Sequence, residues 1–437
     1  MASYQELQAE AQRRWQALTE GDQPWIRVGT AICGTAAGAP QVVAALRGEL
    51  ERRGLQATVT EVGCFGLCYA EPLVDIMLPG GPRVFYGNVT PDSVPRIVEG
   101  HLVQGEPPTD LALGHLGDSA DGALPSLTEL PMLRHQQRIA LRNAGTMDPT
   151  DIYQYLANGG YQGLQRALTE LTPQQVVEEV TQSGLRGRGG AAFPTGTKWS
   201  FLARSPGPVK YILCNCEEGD PGAFNDKGIL ESDPFTLLEG MTIAAYATGA
   251  TFGYVFIRQG HLSPIERTWK AIEAARAAGL LGEGILGSDF SFDIEVALTG
   301  DSYVAGEETA LMEAIEGKRA MPRYRPPFPA QVGLFGRPSN INNVKTLAYV
   351  PEVLSKGGEW FASIGTEKSK GTAILCLSGT LTYTGMVEVP MGLTLRQVIE
   401  EVAGGVPNGK RLKLLQTGGP LGGVLHADNL DIPLDFE

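Results

Sequence analysis

The densest chemistry in the chain lies between residues 184 and 199, in Gly184-Leu-Arg-Gly-Arg-Gly-Gly-Ala-Ala-Phe-Pro-Thr-Gly-Thr-Lys-Trp199. Consecutive glycines let backbone N–H groups face an anion. A helix expected from about Thr195 turns its positive N-terminal end to the same place. Lys198 adds a point charge, and Phe193 and Phe201 are flat apolar surfaces suited to a nucleotide base. Gly187-x-Gly189-x-x-Ala192 formally matches the dinucleotide fingerprint, which has meaning only between a strand and a helix. Here the loop follows a helix and precedes a strand, so the ordinary Rossmann reading does not apply. A glycine-rich surface turn is the plainer alternative. The lysine and two phenylalanines in register favour an anion cradle.

Two further stretches share this texture. Asn215-Cys-Glu-Glu-Gly-Asp-Pro-Gly-Ala-Phe224 follows a strand expected to end at Cys214. Ligands of α/β sheets bind at the carboxyl ends of strands, where Asn215, Glu217, Glu218 and Asp220 suit ribose hydroxyls or the polar edge of a ring. A solvated acidic turn fits equally well. Gly300-Asp-Ser-Tyr-Val-Ala-Gly-Glu-Glu-Thr309 also follows an expected strand. Beyond it lie Arg325-Pro-Pro-Phe-Pro-Ala330 and Asn340-Ile-Asn-Asn-Val-Lys-Thr346, rich in groups that contact phosphate and ring amides. Singly, each is a plausible structural turn.

The elements that must position these loops alternate. Residues 1–20 read as a polar helix, and an apolar run from Trp25 reaches Ile32, followed by a loop. A helix opening near Pro40 sets Val43, Leu46 and Leu50 on one face and stops at Gly54. Strands are expected at 55–62, 73–78 and near 83–87, then a helix from Thr90-Pro-Asp. That β-α-β-β-α order is thioredoxin-like in plan. Residues 104–126, rich in Pro, Gly and Asp without a period, read as a linker, and 127–170 as a connector. Thr172-Pro-Gln-Gln is a capping box ahead of Val176, Val177 and Val180. Strands at 209–214, 252–258 and 292–298 alternate with helices, one of them capped by Ser263 and burying Ile265, Trp269 and Ile272, which implies an α/β layer. From Gly371 the texture becomes short strands around one helix, a separate α+β module.

Composition sets the outer bounds. The 437 residues suffice for about three domains. Lys and Arg number 35 against 49 Asp plus Glu, a net charge of −14, which argues against nucleic-acid or anionic-membrane binding. No apolar run is long enough to span a membrane, and the first residues carry no secretory pattern. Six cysteines in so long a chain make no disulfide framework, so a reducing cytoplasm is expected. The five histidines are scattered, which argues against a histidine-based metal site.

Taken together, the motifs from Gly184 to Thr346 resemble one family closely: the flavoprotein subunit of respiratory NADH:quinone oxidoreductase, with the diaphorase subunits of NAD-linked hydrogenases and formate dehydrogenases. The resemblance implies an α/β fold with a thioredoxin-like N-terminal domain (1–103), a linker and connector (104–170), a Rossmann-like FMN- and NADH-binding domain (171–350) and a C-terminal β-grasp module (365–437). It implies that Gly187, Arg188, Gly189 and Gly190 belong to the NADH-binding loop and that Lys198 contacts FMN. Phe193, Phe201 and Phe328 resemble the aromatics that hold the adenine. Asn215, Glu217 and Glu218 fall at the FMN contacts, and Asp220 near the nicotinamide. Tyr303, Gly306, Glu307 and Glu308 resemble the turn beside the flavin, and Asn342, Asn343 and Thr346 the residues near its phosphate. Glu217, Tyr303 and Glu308 are the residues expected to serve catalysis. Two departures stand out. Glu217 replaces the family's Asp, and Lys345 replaces a Glu, changes that bear on flavin affinity or on the choice between NAD and NADP.

Cys33 in Ile32-Cys-Gly-Thr-Ala-Ala-Gly38 and the pair in Cys64-Phe-Gly-Leu-Cys68 resemble the ligands of a thioredoxin-like ferredoxin domain that holds a 2Fe–2S cluster through C-x4-C and C-x3-C. Val28 occupies the fourth position. Either another side chain substitutes, or the cluster is lost and the fold retained. Cys214, Cys216 and Cys376 read as buried structural thiols. The family's 4Fe–4S ligands have no counterpart after Cys376.

The expected function is an FMN-dependent NAD(P)H dehydrogenase: hydride from NADH to FMN, then single electrons to iron–sulfur subunits of a larger cytoplasmic complex. The alternatives are a diaphorase or bifurcating subunit of a hydrogenase or formate dehydrogenase, and a degenerate non-catalytic scaffold.

Overall fold

A computed structural model describes residues 3–118, 122–220, 222–300, 302–419 and 422–436. The chain opens on α1 (Tyr4–Thr19), held by a Ser3/Glu6 capping box, and its Tyr4, Leu7 and Ala11 pack into the large central core. Next come β1 (Trp25–Gly29), α2 (Ile32–Ala37), α3 (Ala39–Arg53), β2 (Thr58–Val62), β3 (Val74–Met77), β4 (Arg83–Tyr86), α4 (Val94–Ile97) with a π-helical continuation to Val103, and β5 (Ala112–Leu116). They form a five-stranded sheet in the order β2-β1-β3-β4-β5, with β1 and β2 parallel and the remaining pairs antiparallel. The plan is thioredoxin-like. Val43, Leu46 and Leu50 of α3 are buried on this sheet, and Gly54 ends the helix in the left-handed region at φ 67°.

Two expectations for this unit are corrected. The stretch after Ile32 is not a loop but the short helix α2, which carries Cys33. The linker reading of 104–126 also fails in part, because Ala112–Leu116 extend the sheet at its edge. Only Gly114 of that strand is fully buried, so it lacks the apolar alternation that marks a strand in sequence.

The connector supplies α5 (Pro131–Arg134), α6 (Ile152–Ala157) and α7 (Gln162–Glu170). Then α8 (Pro173–Gln182) opens on the expected capping box, Thr172 with Gln175, and buries Val176, Val177 and Val180. The second layer continues through α9 (Thr195–Arg204), β6 (Tyr211–Cys216), α10 (Asn225–Ser232), α11 (Pro234–Thr248), β7 (Phe252–Arg258), α12 (Leu262–Ala277), β8 (Asp293–Thr299), α13 (Glu308–Ile315), β9 (Ser339–Asn343), α14 (Val344–Lys356) and α15 (Gly358–Ala362). All strands of this sheet are parallel, in the order β8-β7-β6-β9. The chain runs outward from β6 to β8 and then returns to β9 on the other flank of β6. That reversal is a topological switch point, where such sheets bind ligands.

Corrections here concern a cap, a face and a turn. His261, not Ser263, stands at the N-cap of α12. Trp269 is 49% exposed, at the edge of the buried stripe of Ile265, Thr268, Ile272 and Ala275. Asn340–Thr346 is not a turn but β9 running straight into α14.

The C-terminal module pairs β10 (Thr372–Leu377) with β11 (Gly385–Pro390), follows with a π-helical segment, Gln397–Val402, and pairs β12 (Leu414–Gln416) with β13 (Val424–His426). Its Leu377, Val387 and Val398 share a core with Phe65, Leu67 and Phe85, so it covers the cysteine-bearing side of the N-terminal unit. Among the described residues, no helix is long and apolar enough to cross a membrane.

Candidate functional site

The glycine loop is pinched at its neck. Gly187 N–H donates to the Phe193 carbonyl (2.9 Å), Thr195 N–H to the Leu185 carbonyl (2.9 Å), and the Arg186 guanidinium to Ala192 O (2.7 Å). Gly190 sits at the tip with φ 113°, a left-handed conformation that glycine adopts at low cost. Gly189 passes close to the start of α14: a Cβ there would come within 3.1 Å of Asn343 Cβ.

Below the loop lies a cavity of about 220 Å³. It is lined by Gly187, Gly189, Phe193, Lys198, Asn215, Gly306, Glu308, Asn342, Asn343 and Thr346, with Ala191, Ala192, Thr195 and Ile341. Ten of the residues singled out in sequence thus converge from four separate stretches. Asn215 comes from β6, Ile341, Asn342 and Asn343 from β9, so the cavity sits at the switch point. Three helices, α9, α13 and α14, begin at its wall, directing their positive ends toward it.

Polar contacts fix the wall. Lys198 Nζ donates to Glu308 Oε2 (3.1 Å) and the Ile341 carbonyl (2.6 Å), and Arg325 Nη1 donates to Glu308 Oε1 (2.6 Å). Asn215 Nδ2 donates to the Gly306 carbonyl (2.8 Å). Arg188 N–H donates to Thr346 Oγ1 (2.9 Å). Asn343 caps α14 through the Lys345 N–H (3.0 Å), while its Nδ2 donates to Asp226 Oδ2 (2.6 Å). Thr195 Oγ1 is buried with no hydrogen-bond partner. A buried hydroxyl without a partner is costly, and this one belongs to a cavity residue.

Other predicted residues sit around this cavity rather than in its wall. Arg188 turns its guanidinium away, to the Lys370 carbonyl (2.8 Å) and over the Phe436 ring. Glu217 is held by Arg258 Nη1 (2.5 Å), and burial raises its carboxyl pKa against the pull of that arginine. Glu218 accepts the N–H groups of Asp226 and Lys227 (2.9 Å each) at the start of α10. Glu307 caps α13 through the Thr309 and Ala310 N–H groups. The Tyr303 hydroxyl donates to Asp220 Oδ1 (2.7 Å). Phe201 and Phe328 are 48% and 55% exposed, and the Phe201 ring lies 6.3 Å from that of Phe193, a wall residue 45% exposed. Pro221 and Asp301, within the two acidic turns, lie outside the described residues.

Sequence reasoning did not reach Thr195, Asp226 or Arg258. The unusual Lys345 is turned inward: Nζ meets Asp226 Oδ1 (2.9 Å) and Asn225 Oδ1 (2.9 Å). Burial lowers its pKa, but Asp226 and Glu218 outweigh that and raise it overall. A larger cavity, about 740 Å³, lies beside Glu313, Glu316, Lys318 and Arg323, whose charges neutralise one another.

Of the remaining cysteines, Cys214 and Cys216 are fully buried, while Cys376 is half-buried and accepts the Phe224 N–H (3.2 Å). The Sγ atoms of Cys33, Cys64 and Cys68 all lie within 4.8 Å of one another.

A parallel sheet whose switch point holds a glycine loop, a lysine and three helix N-termini defines a nucleotide- or flavin-phosphate-binding α/β protein. Residues 180–352 match the Nuo51 FMN-binding domain. The chain is 46% identical to an NADH-quinone oxidoreductase subunit of Rhizobium meliloti over 299 residues, 68% of this chain and 71% of that protein. It is 49% identical to the NADP-reducing hydrogenase subunit HndC of Solidesulfovibrio fructosivorans over 304 residues, 70% of this chain and 62% of that protein. A crystal structure of an NAD+-reducing [NiFe]-hydrogenase in its air-oxidized state superposes with a TM-score of 0.58 at 26% identity, covering 99% of this chain and 70% of that one. The chain belongs to the family of Nuo51-type NADH-quinone oxidoreductase subunits and the related hydrogenase subunits.

Proposed function

We propose that the chain is an NADH-oxidising flavoprotein module, which holds FMN in the cavity at the β6/β9 switch point and passes electrons to iron–sulfur carriers of a larger cytoplasmic assembly. The observation that carries this reading is the convergence of Gly187, Gly189, Lys198, Asn215, Glu308 and Thr346 on one cavity. The donor set fits FMN. Lys198, the orphaned Thr195 hydroxyl, Asn342 and the N-terminus of α14 suit its phosphate, and Asn215 suits the polar edge of its ring.

FMN, when bound, supplies an acceptor that takes a hydride and releases electrons singly. The chain's own part is positioning. Hydride transfer between stacked rings requires near contact and alignment rather than a protein acid or base. No histidine lines the cavity among the described residues. Gly189 and Gly190 carry no side chain to obstruct a nicotinamide ring, and the exposed Phe193, Phe201 and Phe328 would hold the adenine. Glu308, fixed from both sides by Lys198 and Arg325, and Glu217, pinned by Arg258, keep the two acidic turns in place. The Tyr303–Asp220 bond ties those turns together at the rim.

A hydrogenase-coupled assembly is the second reading, favoured by the 49% identity to the HndC subunit. Titration of FMN into the full chain, followed by flavin fluorescence, tests the reading together with NADH- and NADPH-driven reduction of ferricyanide. Equimolar binding and nucleotide-dependent reduction are expected. A chain that binds no FMN overturns it.

A further inference from the structure

The three clustered thiols have a fourth neighbour. Cys33 Sγ lies 3.4 Å from Cys64 Sγ and 3.7 Å from Glu71 Oε1, and Cys64 Sγ lies 3.8 Å from Cys68 Sγ. Glu71 is only 6% exposed. Its other oxygen accepts the Leu73 N–H (2.8 Å). Among the described residues, no lysine or arginine forms an ion pair with it. A carboxylate buried with no cation beside it is expensive. A bound metal would remove that cost.

The backbone makes room for this carboxylate. A Cβ at Gly29 would lie 3.2 Å from either oxygen of Glu71, and one at Gly34 would lie 3.0 Å from Oε2. The Gly66 N–H donates to Cys64 Sγ (3.2 Å), the kind of supporting bond that orients a metal ligand. Val28, the residue at the vacant cysteine position, points into the sheet core. It contributes nothing to the cluster.

We propose that Glu71 is the fourth ligand of an iron centre whose other three ligands are Cys33, Cys64 and Cys68. Donors around a tetrahedral ion with ~2.3 Å metal–sulfur bonds stand about 3.8 Å apart, close to the spacings seen. A two-iron, two-sulfide cluster would draw on the same four donors. Either way the set is three thiolates and one carboxylate. Exchange of a thiolate for a harder or neutral ligand shifts the potential of such centres. This inference is independent of the flavin reading.

The test is anaerobic reconstitution of the full chain with ferrous iron and sulfide, followed by counting iron and acid-labile sulfide and recording the visible and EPR spectra. The wild type is expected to bind iron, and the sulfide count distinguishes a two-iron cluster from a single ion. Glu71→Ala should weaken iron retention against a chelator by about 10- to 100-fold. Glu71→Cys should retain iron with altered spectra, which guards against the alanine variant simply failing to fold. Wild-type spectra and retention in both variants would overturn the proposal, as would a wild-type chain that takes up no iron.

Discussion

Asp226 and Glu231 stand five residues apart on α10 and reach into two different sites. Asp226 Oδ2 accepts from Asn343 Nδ2 (2.6 Å) at the wall of the flavin cavity. Glu231 Oε1 accepts the N–H of Ile32 (3.0 Å), the first residue of the helix that carries Cys33. Five residues of helix rise about 7.5 Å. One short helix therefore joins the wall of the cavity to the helix that carries Cys33.

That junction is tight. Gly63, just before Cys64, faces Ser232 at the end of α10, and a Cβ there would lie 2.3 Å from Ser232 Cα. Gly63→Ala is expected to destabilise the protein by about 1–3 kcal/mol. Gly48→Ala, on the open face of α3 with nothing within 4 Å, should instead stabilise by about 0.5–1 kcal/mol. Thermal melting of both variants checks the opposite signs.

Lys198 carries the charge at the cavity. Lys198→Met should weaken FMN binding by about 10- to 100-fold, the loss of one charged hydrogen-bond donor. Glu308 retains Arg325, so the fold should persist. Flavin fluorescence titration measures the affinity, and circular dichroism the fold.

Thr195 separates ligand binding from stability. Its hydroxyl has no partner within the chain, so Thr195→Val removes a buried polar group at nearly constant volume. The flavin-free protein should be as stable or more stable, while FMN affinity falls by about 1 kcal/mol. Equal loss in both measurements would mean that the hydroxyl serves the fold.

His101 makes the N-terminal unit acid-sensitive. It is buried beside the Tyr86 hydroxyl (2.9 Å), and burial lowers its pKa to about 4. The unfolded chain therefore binds this proton more tightly. The stabilisation is complete above about pH 6.5 and is lost as the pH falls through 4, about 3 kcal/mol in all. His101→Gln should flatten this part of the pH dependence of unfolding, followed by calorimetry.

Much of this was legible in sequence because local chemistry and tertiary role agreed. The Thr172 capping box, the strand Phe252–Arg258 and the helix start at Thr195 all formed as expected. What escaped notice had no local signature. Asparagine is a poor strand former, yet in β9 Asn340 and Asn342 bond each other and the Lys198 carbonyl. Burial on nearly every side leaves α11 without an amphipathic stripe. Arg258 meets Glu217, and Glu71 meets Cys33, only through tertiary folding, so neither pair could be read from spacing.

The central claim is that NADH reduces FMN held at the switch-point cavity. The direct measurement is anaerobic titration of the FMN-loaded full chain with NADH, following the flavin's visible absorbance. The account predicts that the flavin bleaches with one NADH per FMN and that Lys198→Met reduces the amount of flavin retained. Flavin that stays oxidised under excess NADH and NADPH would contradict it.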